Sequence, residues 1–461
     1  MTTIPPTKTN PARASVRHSR FIIDVALEMR RKGMLQFFTD TWREHGDLAH
    51  LQIGPGHLFL VTHPEHVRHV SVTNRKNYDK LRSYDAVREL LLGDGLVASR
   101  GELWRRQRRL MAPFFTPRGI EPYYPIIVGD GRQMVARWEG LADRAELIDM
   151  LDEMMIVTAA IILRTMFSMQ SDVEIGEIKD AVETMIQFVA TRQMNPIALP
   201  LWAPTRKNQA YHAARARVHA FIDGIIAQRR ALPESEWPED LLSKLMLARD
   251  EETGAAMPDA LIRDESITIF FAGHETTART LAFLWVALDQ NPQVAARLHA
   301  ELDRVLPETD APRIEDLRRL PYTLQVIKET LRLYPPAPIY VRDAVADDEI
   351  DGVHVPAGAQ MMLFPILTHR HPDFWDAPEQ FDPQRWLPER EAARHPYAYH
   401  PFAAGQRICI GNNFSLFESH ILTAMLARRF APRLAPGHKI KLEFAGTLAA
   451  ENGLPMVIHR R

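Results

Sequence analysis

The run His400-Pro401-Phe402-Ala403-Ala404-Gly405-Gln406-Arg407-Ile408-Cys409-Ile410-Gly411-Asn412-Asn413-Phe414 holds Cys409, the only cysteine among 461 residues. Beyond it, Phe414, Phe417, Ile421, Met425 and Phe430 recur near helical spacing, which predicts an amphipathic helix. Cys409 therefore sits in a glycine-containing loop just before a helix N-terminus. There the macrodipole and unpaired backbone N–H groups favour a thiolate over a thiol. A lone cysteine is otherwise a small buried hydrophobe, or the nucleophile of a hydrolase. A single cysteine also excludes an internal disulfide and a cysteine-based zinc site.

Phe402-x-x-Gly405-x-Arg407-x-Cys409-x-Gly411 resembles the haem-binding signature of the cytochrome P450 superfamily. The resemblance implies that Cys409 is the axial ligand of the iron of haem b, where a thiolate pushes electron density onto the metal and promotes O–O cleavage. Phe402, Gly405, Arg407 and Gly411 would complete that site, the glycines allowing a tight loop under a flat ring where a Cβ would clash.

Four further motifs follow the family order. Trp104-Arg105-Arg106-Gln107-Arg108-Arg109 reads as helix, with Trp104 and Arg108 four apart on one face. By resemblance, Trp104 and Arg108 hold haem propionates, as does Arg342. Arg105, Arg106 and Arg109 would then form a basic proximal face that steers an acidic electron donor, a ferredoxin or flavoprotein. The plainer reading is a solvated basic face. Residues 258–290 predict one long helix, opened by Pro258 and locally broken at Ala272-Gly273-His274-Glu275-Thr276-Thr277, whose composition suits a helix poorly. This stretch resembles the family's oxygen-activation segment. Gly273 would make room for dioxygen, Thr276 would hydrogen-bond it, and Glu275 would relay protons from solvent. Finally, Glu329 and Arg332 lie three apart on one helical face. With Arg385 in Phe381-Asp382-Pro383-Gln384-Arg385-Trp386 they resemble the family network that holds the cysteine loop.

Composition fits these readings: 46% hydrophobic and 25% charged residues are ordinary for a soluble globular chain, and a net charge of −2 gives no reason to expect nucleic acid. No apolar run reaches the length of a transmembrane anchor, so a cytoplasmic protein is expected. Residues 1–20 are basic, with three prolines and no acid, and predict a flexible tail, or an organellar transit peptide as the lesser alternative. Residues 21–461 are then a single domain, mainly α with a small β region, whose haem contacts come from distant parts of the chain.

Other expected elements are a helix over 21–35, a hairpin over 48–62, a Gly93-Asp94-Gly95 turn, helices through 131–250, short strands at 339–345, 350–355 and 359–364, and a C-terminal hairpin turned at 451–453. The connector Asn195–Pro204 is apolar and proline-rich; the resemblance makes it a lid offering Ile197, Leu199, Leu201 and Trp202 to an apolar substrate, with a membrane-touching surface or a packed structural loop as the alternatives. His369-Arg370-His371 reads as a polar loop, since two histidines make an incomplete metal site.

The chain runs out near the expected end of a haem domain, so electrons would come from a separate protein. The implied reaction is insertion of one atom of O₂ into an apolar, lipid- or terpenoid-like substrate. The motifs are similar to those of bacterial relatives of fatty-acid hydroxylases. A peroxide-dependent haem-thiolate enzyme and a non-catalytic haem gas sensor stay open as alternatives.

Overall fold

A computed structural model describes residues 16–19, 22–193, 199–306, 311–444 and 446–461. Residues 1–15, and Asn195–Ala198 of the expected lid, lie outside them. The centre is helix Asp259–Gln290, whose Leu281, Ala282, Leu284 and Val286 are wholly buried. It packs along Met150–Phe167, a helix apolar on nearly every face and buried along most of its length, with Asp152 and Ile156 left exposed. That second helix starts where the Asp149 side chain accepts the Leu151 N–H at 2.8 Å and stops at Ser168, whose φ of 56° leaves the helical region. Helices Tyr124–Arg144, Pro321–Leu333 and Asn412–Ala427 close the core on one side. Asp172–Gln193 and Arg206–Arg230 lie on the other.

The β region is a six-stranded sheet in the order Val16–Ser19, Leu48–Ile53, Gly56–Val61, Gln360–Leu363, Tyr340–Ala344 and Tyr78–Asp79. The mainly α class with a small β region is thus what the sequence leads one to expect. The sheet's last pairing, Asp79 opposite Asp343, brings the residue after the edge strand towards Arg342.

Several expectations are corrected. Val16–Ser19, inside the expected tail, pairs in parallel with strand Leu48–Ile53. The helix over 21–35 is two, Ile22–Lys32 and Met34–His45, broken at Gly33 with φ 82°. The strand at 350–355 is a hairpin, Asp348–Ile350 with Val353–Val355. The C-terminal turn joins strands of different sheets, since Leu448–Ala450 pairs with Leu442–Phe444 and Pro455–Val457 with Arg433–Leu434. The long helix is continuous. Thr276 Oγ1 donates to the Ala272 carbonyl at 2.7 Å and Thr280 Oγ1 to that of Thr276 at 3.0 Å, so the hydroxyls are absorbed without breaking the ladder.

Candidate active site

The cysteine loop is held in place from beneath. Glu329 and Arg332 are both fully buried and pair through two bonds of 2.9 Å. Arg332 also donates to the carbonyls of His369, Pro378 and Gln380, while Glu329 accepts the Asp382 N–H at 2.8 Å and Trp386 Nε1 at 3.0 Å. Arg385 Nε approaches Glu329 at 3.4 Å, completing the expected trio. A buried ion pair is tolerable only when its remaining hydrogen-bonding capacity is met, as here.

The network then passes to the loop through His369, whose Nδ1 donates to the Arg332 carbonyl while its Nε2 accepts the His400 N–H at 2.9 Å. His369-Arg370-His371 is therefore not a polar surface loop. His369 and His371 are wholly buried, and His371 meets Asp47 at 3.1 Å. Among the described residues no cluster of three or more potential metal-ligating side chains occurs.

Gly405 begins the single turn before the cysteine with φ +67°, and a Cβ there would collide with the Ser71 carbonyl oxygen. Close approach to another backbone, not to a ring, is what requires this glycine. The Cys409 N–H donates to the Phe402 carbonyl at 2.9 Å, which turns the side chain into a cavity. The sulfur has open surface, yet it lies deep within the protein, because that surface is cavity wall. Burial pushes the Cys409 thiol up, against the Gly411 N–H, Arg108 and Lys80, which pull it down. The helix terminus alone thus does not lower this thiol.

The cavity, about 1420 Å³ of empty space with its mouth included, runs between the cysteine loop and the long helix. Trp104, Arg108, Phe402, Arg407, Cys409 and Gly411 line it, as do Gly273 and Thr276 opposite. Three expected residues do not. Gly405 supports the loop from behind. Arg342 is buried beside the cavity, donating to the Val341 carbonyl at 2.7 Å and lying over the Tyr340 ring, which does line it. Glu275 turns away. Its Oε1 accepts from Arg279 Nη2 at 2.8 Å and from Thr447 Oγ1 at 2.7 Å, with Oε2 buried and unpartnered. Gly273 has a packing reason as well as a cavity one, since a Cβ would press on Ile162 at 3.2 Å.

One wall is cationic. Arg407 stacks on Trp104 at 3.9 Å, pairs with Asp79 and donates to the Ser99 carbonyl. Burial lowers the Arg407 guanidinium to about 10. Arg108 forms no ion pair among the described residues. Lys80, which sequence reasoning did not single out, is half-buried there, donates to the Val97 carbonyl at 2.6 Å and is driven well below the usual lysine range by desolvation and by Arg342 and Arg407. No periodicity marks residue 80; only the pairing of Tyr78–Asp79 with Tyr340–Ala344 brings it to the wall. Arg279 did leave a signal, since it follows Glu275 at i+4.

The group implied by the cysteine motif fits these residues. Arg108 supplies positive charge without an ion-pair partner among the described residues, and Lys80 is an amine that an anion beside it would keep protonated, which suits paired carboxylates such as propionates. A Cβ on Gly411 would meet nothing closer than the Cys409 sulfur at 3.9 Å, so the glycine leaves an open face beside the ligand atom.

The outward arginines do not form a free basic face. Arg109 pairs with Asp250 at 2.8 Å and Glu252 at 3.0 Å, Arg105 pairs with Glu102, and Arg106 lies 3.8 Å from Asp250 and donates to the Ala255 and Ala256 carbonyls. The connector also departs from expectation. Leu199 and Trp202 are exposed, Trp202 by 83%, and Asn208 Nδ2 ties the carbonyls of Pro200, Leu201 and Ala203; none of the described connector residues lines the cavity.

Comparison with known proteins agrees with this geometry. The family model for cytochrome P450 matches residues 17–456. The chain belongs to the cytochrome P450 family. It is 37% identical to cyclooctat-9-en-7-ol 5-monooxygenase of Streptomyces melanosporofaciens, over 85% of this chain and 84% of that one. It is 31% identical to pentalenene oxygenase of Streptomyces avermitilis, over 91% of each. Among solved structures, the haem domain of cytochrome P450DA superposes with a TM-score of 0.85 at 27% identity, covering 93% of both chains. As a P450, the protein is a haem-b monooxygenase, an oxidoreductase that takes electrons from a redox partner and acts on an apolar substrate. Among the described residues, no helix is long and apolar enough to cross a membrane.

The long helix also buries Glu265, whose carboxyl burial pushes up to about 8, with neighbouring Asp264 adding to the shift and the Leu96 N–H opposing it. The fold keeps this proton at pH values where an unfolded glutamate, at 4.5, has released it. Stability is therefore expected to fall as pH rises from about 4.5 to about 8, by at most about 1.4 kcal/mol per unit, and to level off above. Thermal denaturation across this range is expected to show a flatter profile for Glu265→Gln than for the parent protein.

Proposed function

We propose that this P450 hydroxylates or epoxidises a terpenoid-like hydrocarbon or its alcohol, with Cys409 as axial ligand and Thr276 as the hydrogen-bond donor on the opposite wall. The observation that carries the assignment is the juxtaposition of Cys409 and Thr276 across one cavity whose other walls are largely apolar, with Phe115, Ile162, Ile269 and Leu331 among them. The named products and substrates of the Streptomyces relatives support a terpenoid class.

Lys80, Trp104, Arg108, Arg407 and Cys409 would hold the haem, which when bound would supply dioxygen activation, one atom entering the substrate and the other leaving as water with two electrons from a separate donor and two protons from solvent. The residues do the positioning. Arg108, Arg407 and Lys80 orient the propionates, with Arg342 adding charge from behind Tyr340. Phe402 and Ile410 exclude water near the sulfur. Thr276 now returns its hydroxyl proton to the Ala272 carbonyl and can redirect it into the cavity by rotation about χ1. Glu275 could join the proton path only by leaving the hydrogen bonds to Arg279 and Thr447 that hold it off the cavity. The donor is a ferredoxin or flavoprotein, and the cytoplasm is the proposed location.

Thr276→Ala tests this arrangement. Haem content and substrate-induced spectral shifts should persist, while the share of NAD(P)H electrons lost as hydrogen peroxide rises several-fold and product falls in step. Unchanged coupling would remove Thr276 from proton handling.

A further inference from the structure

Two neighbouring carboxyls of the long helix have no part in the reaction, yet both face one turn. The Asp94 N–H donates to Asp264 Oδ2 at 2.9 Å, and the Leu96 N–H donates to Glu265 Oε2 at 2.9 Å. The turn is the Gly93-Asp94-Gly95 run, and its glycines are dictated by this contact. Gly93 has φ +54°, and a Cβ on it would strike the Asp264 carboxylate. A Cβ on Gly95 would strike the Thr268 hydroxyl and lie 2.7 Å from the Asp264 carbonyl oxygen. Arg88 fixes the Asp94 side chain at 2.7 Å, and the Asp94 carbonyl accepts Gln107 Nε2 at 2.6 Å.

Directly after this turn come Leu96 and Val97, both of which line the cavity, and the Val97 carbonyl is the acceptor for Lys80. The segment is thus pinned on the long helix at one end and on the cationic wall at the other. Glu265 itself does not line the cavity. Its side chain is wholly buried; Oε2 accepts the Leu96 N–H, while Oε1 is buried without a partner.

We propose that Asp264 and Glu265 are positioning residues that clamp the Gly93–Leu96 turn to the long helix, set where Leu96 and Val97 stand in the cavity wall, and so govern which bulky ligands the cavity accepts. This rests on the reading of the cavity as a haem and substrate site. The clamp acts on shape alone. Cys409 lies outside it, and the propionate-binding side is reached only through the Val97 carbonyl on Lys80 and the Asp94 carbonyl on Gln107.

The test uses haem-loaded protein and two probes that ligate the iron and shift its Soret band. Imidazole is too small to feel the wall, whereas clotrimazole, with three aryl rings, fills the space beside it. In Glu265→Leu the ratio of the two dissociation constants should move at least fivefold, and amide hydrogen exchange at Asp94 and Leu96 should speed up at least tenfold. Glu265→Gln keeps a carbonyl acceptor for Leu96 and should behave as the parent protein. Gly95→Ala should move the same ratio without touching either carboxyl, which covers a failure of Glu265→Leu to fold. An unchanged ratio and unchanged exchange in either variant would overturn the clamp. Absence of any imidazole shift in the parent protein would instead overturn the haem reading, and the clamp with it.

Discussion

Arg332→Ala is expected to yield little or no folded, haem-loaded protein. The substitution removes the guanidinium paired to Glu329 at 2.9 Å within a fully buried site and strands three carbonyls, those of His369, Pro378 and Gln380. Breaking a buried pair from one side costs about 3–5 kcal/mol, because the remaining charge is left unsolvated. Folded domains have roughly 5–15 kcal/mol in total. The damage also travels: His369 bridges the Arg332 carbonyl to the His400 backbone, two residues before Phe402. Arg332→Lys is expected to fare almost as badly, since one ammonium cannot reproduce the guanidinium fork. Soluble yield, thermal midpoint and haem content per chain measure the effect. A normal midpoint with normal haem content would show that the trio does not hold the loop.

Cys409→Ala is expected to abolish monooxygenation with little loss of fold. The cysteine side chain is cavity wall, and its removal unburies no core group. Alanine cannot ligate iron, so product formation with a surrogate ferredoxin system should drop to background while the thermal midpoint of the haem-free protein stays within a few degrees. Substantial turnover by this variant would place the ligand elsewhere.

The cysteine loop, the Glu329–Arg332–Arg385 trio and the Trp104–Arg108 helix were legible because each is a local pattern with chemistry at fixed spacing. Lys80 was not, because it is brought to the wall by strand pairing between residues more than 250 apart in the chain. Glu275 stands off the cavity, which the motif did not reveal, since position in it says nothing of χ angles; Arg279 with Thr447 hold it in the protein interior away from the cavity. The arginines at 105, 106 and 109 illustrate the same limit: a basic run carries charge, but its field depends on acids such as Asp250 that the fold sets against it. Likewise Gly93-Asp94-Gly95 reads correctly as a turn in the sequence, while the carboxyls that receive it lie 170 residues on.

The central claim is that Cys409 binds haem iron through a thiolate. The most direct measurement is the absorption spectrum of the reduced protein under carbon monoxide. A strongly red-shifted Soret band, absent in Cys409→Ala, is the predicted result. A band at the position typical of imidazole-ligated haem proteins would contradict it.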